Sequence, residues 1–513
     1  MRLTTRAMSL GLGALHTCAV VCGTACSRPT TGSGASLDAS AASAASTSPS
    51  NGANGAPDPI LALGPDAMAR AIYKELVEID TSPEHGTSEA AHAMAAHLRA
   101  AGLSDVYVVG PSPTRMNVVA RLRAAPAAAS DVNKPVLLLA HLDVVEARRE
   151  DWSVPPFELT EKEGYYYGRG TLDDKAMAAI WVATLLRLAR EHAALSRLSR
   201  DVLLALTADE EEGEENGVAW LLENAGASHV RDAAYCLNEG GGGEIRGGRN
   251  VAHEVELTEK LEESYELEVT ERGGLAAEPR KDNAIYRLAA GLARLAPLEF
   301  PFATLDITRD YFTKMSAVES GPLAADLRAL GATKSRDGRP DPRIAARVAA
   351  ASPWFNSLLR TTCVATLADA GHGESSLPER ASAIINCRIM PGDEPDAVLA
   401  AIVKTVADPR IKITAKYHPS PAPPSPPWPE LMTAFERITH EMWPGAAVVT
   451  TMLPGATDGK YLRAAGIPTY GVSGLFYDLD DEREHGKDER LGIKQFEDGR
   501  VFLDRLVRAL VLP

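Results

Sequence analysis

The chain has 513 residues, of which 45% are hydrophobic and 24% are charged, and its formal net charge is −16. A chain of this length exceeds what one hydrophobic core usually organises, so we expect two domains and a tail. The acidic balance excludes nucleic acid and an anionic membrane surface as main partners, because both require a basic patch.

The first 26 residues have the pattern of an export signal. Two arginines precede an apolar stretch from Met8 to Val21, which is too short to cross a bilayer. The small residues before Cys26 resemble a bacterial lipoprotein cleavage box that lacks the usual leucine, so a lipid anchor at Cys26 and plain secretion both stay open. Residues 27–58 are small and polar, which predicts a flexible tether. We therefore expect an exported protein, periplasmic or extracellular.

From residue 59 onward, helical and strand patterns alternate. Helices are predicted over 65–77, 88–101, 175–193 and 217–225, and continuous apolar strands over 135–140, 201–207 and 233–237. Buried strands separated by helices indicate an α/β fold in which helices flank a mostly parallel sheet. Polar residues that follow these strands should meet at the carboxyl edge of the sheet, where such folds place their sites.

Near residue 261 the pattern changes to alternating apolar and polar positions. Strands are predicted over 265–270, 361–367 and 383–389, and a helix over 283–295. These elements indicate a smaller inserted α+β domain over 261–418. A proline run over 419–429 leads back, so the catalytic domain is predicted to consist of 59–260 and 419–513.

Three cysteines lie in the part of the chain that is predicted to fold, namely Cys236, Cys363 and Cys387. Three cysteines are not a disulfide framework, and no Cys-x-x-Cys pair indicates a thiolate zinc site. Cys363 and Cys387 lie in two strand-like segments and could pair in an oxidising compartment.

Five segments offer metal ligands, and each also has an ordinary structural explanation. His141 and Asp143 follow the first apolar strand; a single histidine is more often structural, but a carboxylate two residues on suits the task of holding its second ring nitrogen. Asp173 and Asp174 end a glycine-rich turn before a helix, where aspartate is also a common N-cap.

Two acidic segments follow the next strands, and a second histidine comes far downstream. The run 209–215 could be solvated surface, but at a strand end adjacent glutamates can divide the work between metal binding and proton transfer. Glu239 precedes a glycine run that also suits a flexible turn, and His485 could be incidental. Together the five segments suit two borderline-hard cations that share one carboxylate.

These segments resemble the two-zinc exopeptidase and aminoacylase family that includes glutamate carboxypeptidase, succinyl-diaminopimelate desuccinylase, carnosinase and yeast carboxypeptidase S. The matching text is, in the family's order, LLLAHLDVV, WSVPPFELTEKEGYYYGRGTLDDKAMA, TADEEEG, LNEGGGG, PGATDGKYLRAAGIPTYG and EHGKDERL. The resemblance implies a carboxypeptidase-like or dipeptidase-like metallopeptidase. An N-acyl-amino-acid amidohydrolase and a catalytically inactive binding homologue are the alternatives.

The resemblance also implies a role for each candidate residue. Its five zinc ligands are His141 and Glu239 at one ion, Glu211 and His485 at the other, and Asp173 as the bridge. Cobalt or manganese could replace zinc. The peptide bond between Asp173 and Asp174 is expected to be cis.

Three further roles follow from the resemblance. Asp143 would orient His141, and Glu210 would act as general base, taking a proton from the metal-activated water and returning it to the leaving nitrogen. Arg388 would bind the carboxylate of a small peptide or N-acyl amino acid substrate, although an arginine at a strand end can also be surface.

Two positions depart from the family pattern. Leu275 stands where members have a histidine that stabilises the oxyanion, often across a dimer, and Ser375 stands where they have an asparagine. Leucine cannot donate a hydrogen bond, so Arg280 or His372 would have to replace it. Members dimerise through the insert, so the resemblance implies a lid or dimerisation domain. Because Leu275 replaces the histidine that reaches across the dimer, one reason to expect a homodimer is missing here.

Overall fold

The computed structural model describes residues 58–125, 134–195, 198–211, 213, 215–224, 229–334, 338–417, 422–481 and 483–513. The predicted export signal over 1–26, including Cys26, and the predicted tether over 27–58, except Asp58, lie outside these residues. None of the helices in the described ranges has the length and apolar character needed to span a bilayer.

The described helices are α1 (Pro65–Glu78), α2 (Ser88–Ala100), α3 (Lys175–Leu195), α4 (Gly217–Glu223), α5 (Ala284–Leu295), α6 (Asp306–Val318), α7 (Gly321–Gly331), α8 (Pro342–Ala351), α9 (Pro353–Leu359), α10 (Pro395–Val406), α11 (Pro429–Met442), α12 (Gly459–Ala464) and α13 (Ile493–Val511). The strands in the first part are β1 (Asp105–Ser112), β2 (Arg115–Leu122), β3 (Val136–His141), β4 (Thr160–Lys162), β5 (Tyr165–Tyr167), β6 (Val202–Thr207), β7 (Tyr235–Asn238), β8 (Gly243–Arg246) and β9 (Arg249–Glu259). The remaining strands are β10 (Leu261–Thr270), β11 (Gly274–Leu275), β12 (Thr362–Ala370), β13 (Ser376–Leu377), β14 (Arg380–Ile389), β15 (Lys412–Ala415), β16 (Ala447–Leu453), β17 (Thr469–Gly471), β18 (Phe476–Asp478) and β19 (Arg490–Gly492).

A ten-stranded sheet forms the centre of the part of the chain that is predicted to be catalytic. Its order is β1-β2-β6-β3-β7-β17-β9-β8-β18, with β16 paired to β9. The pairs β3–β6, β3–β7, β7–β17, β9–β16 and β8–β18 are parallel. The predicted mostly parallel sheet flanked by helices is therefore confirmed.

The continuous apolar strands lie inside this sheet because both of their faces are covered. Every residue of β3 and of β6 is buried. On one face lies α3, whose Trp181 is fully buried and donates its indole N–H to the carbonyl of Leu139 at 3.0 Å. Neither face of such a strand contacts solvent, so no position along it favours a polar residue. This explains the unbroken apolar sequence.

A second sheet lies within the predicted insert. It has the order β12-β14-β10-β15, and α5 and α10 share its hydrophobic cluster. Cys363 on β12 and Cys387 on β14 are directly opposite each other and form a disulfide, the pairing that the sequence left open. The edge strand β12 exposes Val364 and Leu367, and the homodimer expected through the insert stays a prediction.

Four helices over 306–359 pack against the large sheet rather than the small one. Helices α6 to α9 share a hydrophobic cluster with Ala252 of β9 and with Val449 and Met452 of β16. The segment predicted to be an insert therefore contains both a separate four-stranded sheet and a helical layer on the large sheet.

Candidate metal centre

Three parallel strands deliver the first ligands to one edge of the large sheet. His141 is the last residue of β3 and pairs with Thr207, the last residue of β6. Glu210 and Glu211 follow β6, and Glu239 follows β7 directly. The side chains predicted from separate strand ends therefore meet at the carboxyl edge.

The turn after Glu239 requires glycine. Gly240 has a φ of +102°, and a Cβ at this position would lie 2.1 Å from Glu256 Oε2. Only a residue without a side chain lets the backbone turn this closely over the buried Glu256. The glycine run is thus part of the site's construction.

The first group of ligands surrounds His141, which is 2% exposed. Its Nε2 lies 2.7 Å from Asp173 Oδ1 and 3.5 Å from Glu239 Oε2. One ligand atom from each of these three residues lies within 4.8 Å of the others. The group offers one nitrogen and two oxygens to a cation.

The second group contains the other oxygen of the same aspartate. His485 Nε2 lies 2.9 Å from Asp173 Oδ2 and 3.0 Å from Glu211 Oε2, and these ligand atoms also lie within 4.8 Å of one another. Asp173 therefore stands between the two groups, in the position that the resemblance implies for a bridging ligand. The peptide bond from Asp173 to Asp174 is cis.

A buried glutamate joins the turn that carries Asp173 to the segment that carries His485. Glu489 is fully buried, and its carboxylate accepts hydrogen bonds from the backbone N–H groups of Gly170, Leu172 and Asp173 at 3.0, 2.7 and 3.2 Å. Arg169 pairs with Glu489 at 2.6 Å and donates to the carbonyl of His485 at 3.3 Å. These contacts fix the distance between two ligands that are far apart in sequence.

Asp143 contacts His141 differently from the expectation. The Nδ1 of His141 lies 3.0 Å from the main-chain oxygen of Asp143 and 3.7 Å from its carboxylate. The carboxylate instead accepts the backbone N–H of Glu211 at 3.0 Å. Asp143 thus orients one ligand through its carbonyl and the loop of another ligand through its side chain.

The electrostatics of the site favour a positive charge. The hydrogen bond to Asp173, followed by that to Glu211, raises the pKa of His485 to about 11. Burial opposes the charged form of His141, yet the carboxylates of Glu239 and Asp173 raise its pKa well above the usual value. Carboxylates that hold protons on two histidines this strongly offer the same attraction to cations.

The donor set fits metal ions. Two imidazole nitrogens and three carboxylates match the ligands that zinc and related borderline-hard cations take in proteins. Two buried carboxylate oxygens, Asp143 Oδ1 and Asp174 Oδ2, have no hydrogen-bond partner among the described residues, and burial raises the pKa of Asp174 well above its usual value. Such a concentration of acidic oxygens is costly without cations.

A cavity of about 750 Å³ opens onto these ligands. Glu210 lines it, and burial raises the pKa of this carboxyl well above the usual value, which makes its carboxylate a stronger base. Arg388 lines the same cavity, 33% exposed, with Nη1 at 3.3 Å from Glu262 Oε2. The structure therefore brings the five candidate ligands, Asp143, Glu210 and Arg388 into or directly beside one cavity.

The replacements considered for the family histidine do not line this cavity. Leu275 is 58% exposed on β11. Arg280 donates to the carbonyl of Gly273 and lies 3.8 Å from Asp282, and His372 is exposed. Among the described residues, the cations that line the cavity besides His485 are Arg388 and Lys460.

Three residues of the site were missed by sequence reasoning. Glu489 and Lys460 stood in segments that carried the resemblance, without a role. Asp458 lies beneath the ligands, where it accepts hydrogen bonds from Thr207 at 2.8 Å and Asn216 at 2.7 Å. The signal for all three was present, since each lies within a segment that matches the family.

The model of peptidase family M20/M25/M40 matches residues 137–509, which include all five ligand positions. The chain belongs to this family. Its site is accordingly that of a metal-dependent hydrolase that acts on peptide or N-acyl-amino-acid amide bonds.

Relatives within the M20/M25/M40 family are similar over most of the chain. An N-fatty-acyl-amino acid synthase/hydrolase PM20D1 from Xenopus tropicalis is 30% identical over 71% of this chain and 70% of its own length. A probable carboxypeptidase S-like 2 from Dictyostelium discoideum is 27% identical over 73% of this chain and 71% of its own. The M20 metallo-carboxypeptidase Sso-CP2 from Sulfolobus solfataricus has the same fold, with a TM-score of 0.63, 17% identity, and coverage of 86% and 99%.

Proposed function

We propose that the protein is a zinc-dependent amidohydrolase that removes an amino acid with a free carboxylate from its acyl group, with N-acyl amino acids as the main substrates. One observation carries the free carboxylate in this proposal: Arg388 lines the same cavity as Glu210 and four of the five ligands. A guanidinium there can bind a carboxylate with two parallel hydrogen bonds, which places the neighbouring amide near the ligands.

Arg388 is held in position for this task by its neighbours. Its Nε donates to Asn386 Oδ1 at 3.1 Å, and Glu262 lies beside its Nη1. Asn386 is itself fixed by its amide, which donates to Glu262 at 2.8 Å. Because the pair is part-exposed, a substrate carboxylate can take the place of Glu262 at the guanidinium.

The chain's own groups supply proton transfer and orientation. Glu210, kept basic by burial, accepts a proton from the attacking water and delivers it to the leaving nitrogen. His141, Asp173, Glu239, Glu211 and His485 would hold two zinc ions. When bound, these ions polarise the amide carbonyl and lower the pKa of water.

Zinc fits this donor set well. Imidazole nitrogen and carboxylate oxygen are its usual ligands in hydrolytic sites, and catalytic sites leave a position open to water. Cobalt and manganese accept the same donors and are proposed as substitutes.

The names of the relatives support an N-acyl amino acid as the substrate, with a peptide as the second candidate. The Xenopus relative is named for N-fatty-acyl amino acids, whereas the Dictyostelium relative is named as a carboxypeptidase. Both substrate classes place a carboxylate next to the scissile amide, so Arg388 suits either of them.

A substrate panel tests the function. N-acetyl amino acids, dipeptides and the carboxamide form of each would be assayed with the zinc-loaded protein. We expect hydrolysis of the free acids and a loss of about a hundredfold in kcat/KM for the carboxamides, since a charged hydrogen-bonded pair is removed. In Arg388→Met this preference for the free acid should disappear.

Glu210→Gln is the companion variant. Turnover should fall to background while about two metal ions per chain remain, because Glu210 is not among the ligands. A Glu210→Gln protein that hydrolyses at the wild-type rate would remove Glu210 from its role. Equal rates for acids and carboxamides in the wild type would refute the role of Arg388.

A further inference from the structure

A second cavity adjoins the one that holds the metal ligands. Its volume is about 1120 Å³, and it lies among β9, β16, α6, α11 and the proline-rich segment 422–427. Lys460 lines both cavities, so the two meet at this side chain. The proposed mechanism makes no use of this space.

One wall of the second cavity offers few hydrogen-bond donors. Four of the six residues in the segment 422–427 are prolines, which have no backbone N–H. Ser425 in the same segment is already satisfied, because its N–H donates to the carbonyl of Leu257 at 2.8 Å and its hydroxyl to that of Thr469 at 2.8 Å. A polar ligand would find little to bind on this wall.

The charged side chains at the base of the cavity are also satisfied. Lys260 is fully buried, and its ammonium donates to the carbonyl of Arg360 at 2.7 Å. Glu259 accepts the N–H of Thr457 at 2.8 Å and pairs with Arg463 at 2.6 Å. These groups have no need of a charged ligand.

Charges nearer to solvent pair with one another. Asp310 lies 2.9 Å from Lys314 and accepts the hydroxyl of Thr450 at 2.7 Å. Asp306 has a side chain that is 95% exposed, which places it at the rim. A mixed polar rim around a satisfied interior is the usual construction of a site for an apolar ligand.

Apart from Lys460 and three acidic residues, Asp393, Glu394 and Glu436, the remaining large side chains that line the cavity are apolar. Six such side chains line the cavity: Leu257, Leu261, Leu305, Ile307, Met390 and Met432. Leu257 and Met390 are 1% and 2% exposed, and the other four are half-buried. The half-buried side chains keep apolar surface that an occupant can cover.

We propose that this second cavity binds the hydrocarbon part of the substrate's acyl group. The proposal rests on the proposed function, since it needs an amide held at the metal ligands. A substrate in that position extends past Lys460 and lays its methylenes against the apolar side chains and the proline wall. Each buried methylene should raise kcat/KM about fourfold until the chain reaches the end of the cavity.

A series of acyl lengths on one amino acid tests this. N-acetyl, N-octanoyl and N-palmitoyl derivatives would be compared in the wild type and in Ile307→Trp and Met432→Trp, which fill the cavity from two helices. The matched control is Ile285→Trp, because Ile285 is 39% exposed on α5 and lines neither cavity. Thermal unfolding of each variant confirms that it is folded.

The expected result is a steep rise in kcat/KM with acyl length in the wild type and in Ile285→Trp. The cavity variants should keep wild-type activity on the N-acetyl substrate and lose about tenfold or more on the N-palmitoyl substrate. No rise with length, or a rise that survives in both cavity variants, overturns the proposal. A gain confined to apolar dipeptides would assign the cavity to a peptide segment and overturn it as well.

Binding without turnover separates this proposal from the proposed function. Calorimetric titration of N-palmitoyl amino acid into Glu210→Gln, with and without Ile307→Trp, reports the cavity alone. Tight binding that Ile307→Trp weakens about tenfold supports the acyl site even if no amide is cleaved. An absence of binding overturns the acyl site even if N-acetyl amino acids are hydrolysed.

Discussion

Arg463 lies beneath the site between two glutamates, and its replacement by methionine measures what this buried charge contributes. Its guanidinium lies 3.1 Å from Glu256 Oε1 and 2.6 Å from Glu259 Oε1. The three side chains are 1%, 1% and 4% exposed. Solvent therefore cannot compensate for the loss of the cation.

The expected loss of stability in Arg463→Met is large. Methionine fills most of the space of the arginine stem, so the main cost is two buried glutamates that have lost their cation, about 3–5 kcal/mol in free energy of unfolding. Arg347 on α8 is the matched control, since it binds Asp326 through two hydrogen bonds of 2.7 and 2.6 Å but is 58% exposed. Arg347→Met should cost much less than Arg463→Met, because water screens an exposed ion pair.

Urea unfolding at neutral pH, followed by circular dichroism and tryptophan fluorescence, gives the loss in free energy of unfolding for both variants. The comparison holds if the free energies have the same dependence on urea concentration. The double variant Arg463→Met/Glu259→Gln should recover part of the loss, because one orphaned charge is removed. If Arg463→Met is no less stable than Arg347→Met, the cluster does not stabilise the fold and the reasoning fails.

Three other predictions concern metal, pH and the disulfide. Chelation should abolish hydrolysis and lower the Tm, with zinc restoring both, because bound cations stabilise the folded state; full activity in a metal-free sample would contradict this. Hydrogen bonds to Glu75 and then Asp58 raise the pKa of His97 to about 9, so its stabilisation is complete below the unfolded value of about 6.5 and is lost as pH rises through 9. The Tm difference between wild type and His97→Gln, on the order of 2 °C, should shrink over that interval, and a constant difference would refute it. The bond between Cys363 and Cys387 closes a loop with a sequence separation of 24, so its reduction should cost about 3 kcal/mol, measured as a lower urea midpoint; an unchanged midpoint would contradict the loop-entropy argument.

The strands that carry the ligands could be predicted because their sequences report burial on both faces. The runs that became β3 and β6 are apolar throughout, so their ends, and the ligands that follow, were correctly located. Strand β9 could not be predicted in the same way. Its Glu254 and Glu256 are buried, and the cation that makes this tolerable for Glu256 lies 207 residues further along the chain.

Two other features depended on contacts that a single sequence does not reveal. The helices over 306–359 are amphipathic, but the surface they cover belongs to β9 and β16, so nothing local indicates that they join the large sheet. The contact from His141 to the carbonyl of Asp143 depends on the backbone path after β3. The sequence indicated the correct pair of residues, but the group of Asp143 that lies nearest to the His141 ring is its main-chain carbonyl and not its carboxylate.

The hydrogen bonds from the turn at residues 170–173 to the carboxylate of Glu489 have a consequence for the synthesis of the protein. One of the two ligand groups needs His485, and the turn that carries Asp173 is held by a carboxylate from a still later position. A nascent chain that has already folded its central strands therefore lacks a working centre. Activity begins only after the chain has been synthesised past Glu489 and this segment has docked, so translation products that stop before His485 should be inactive.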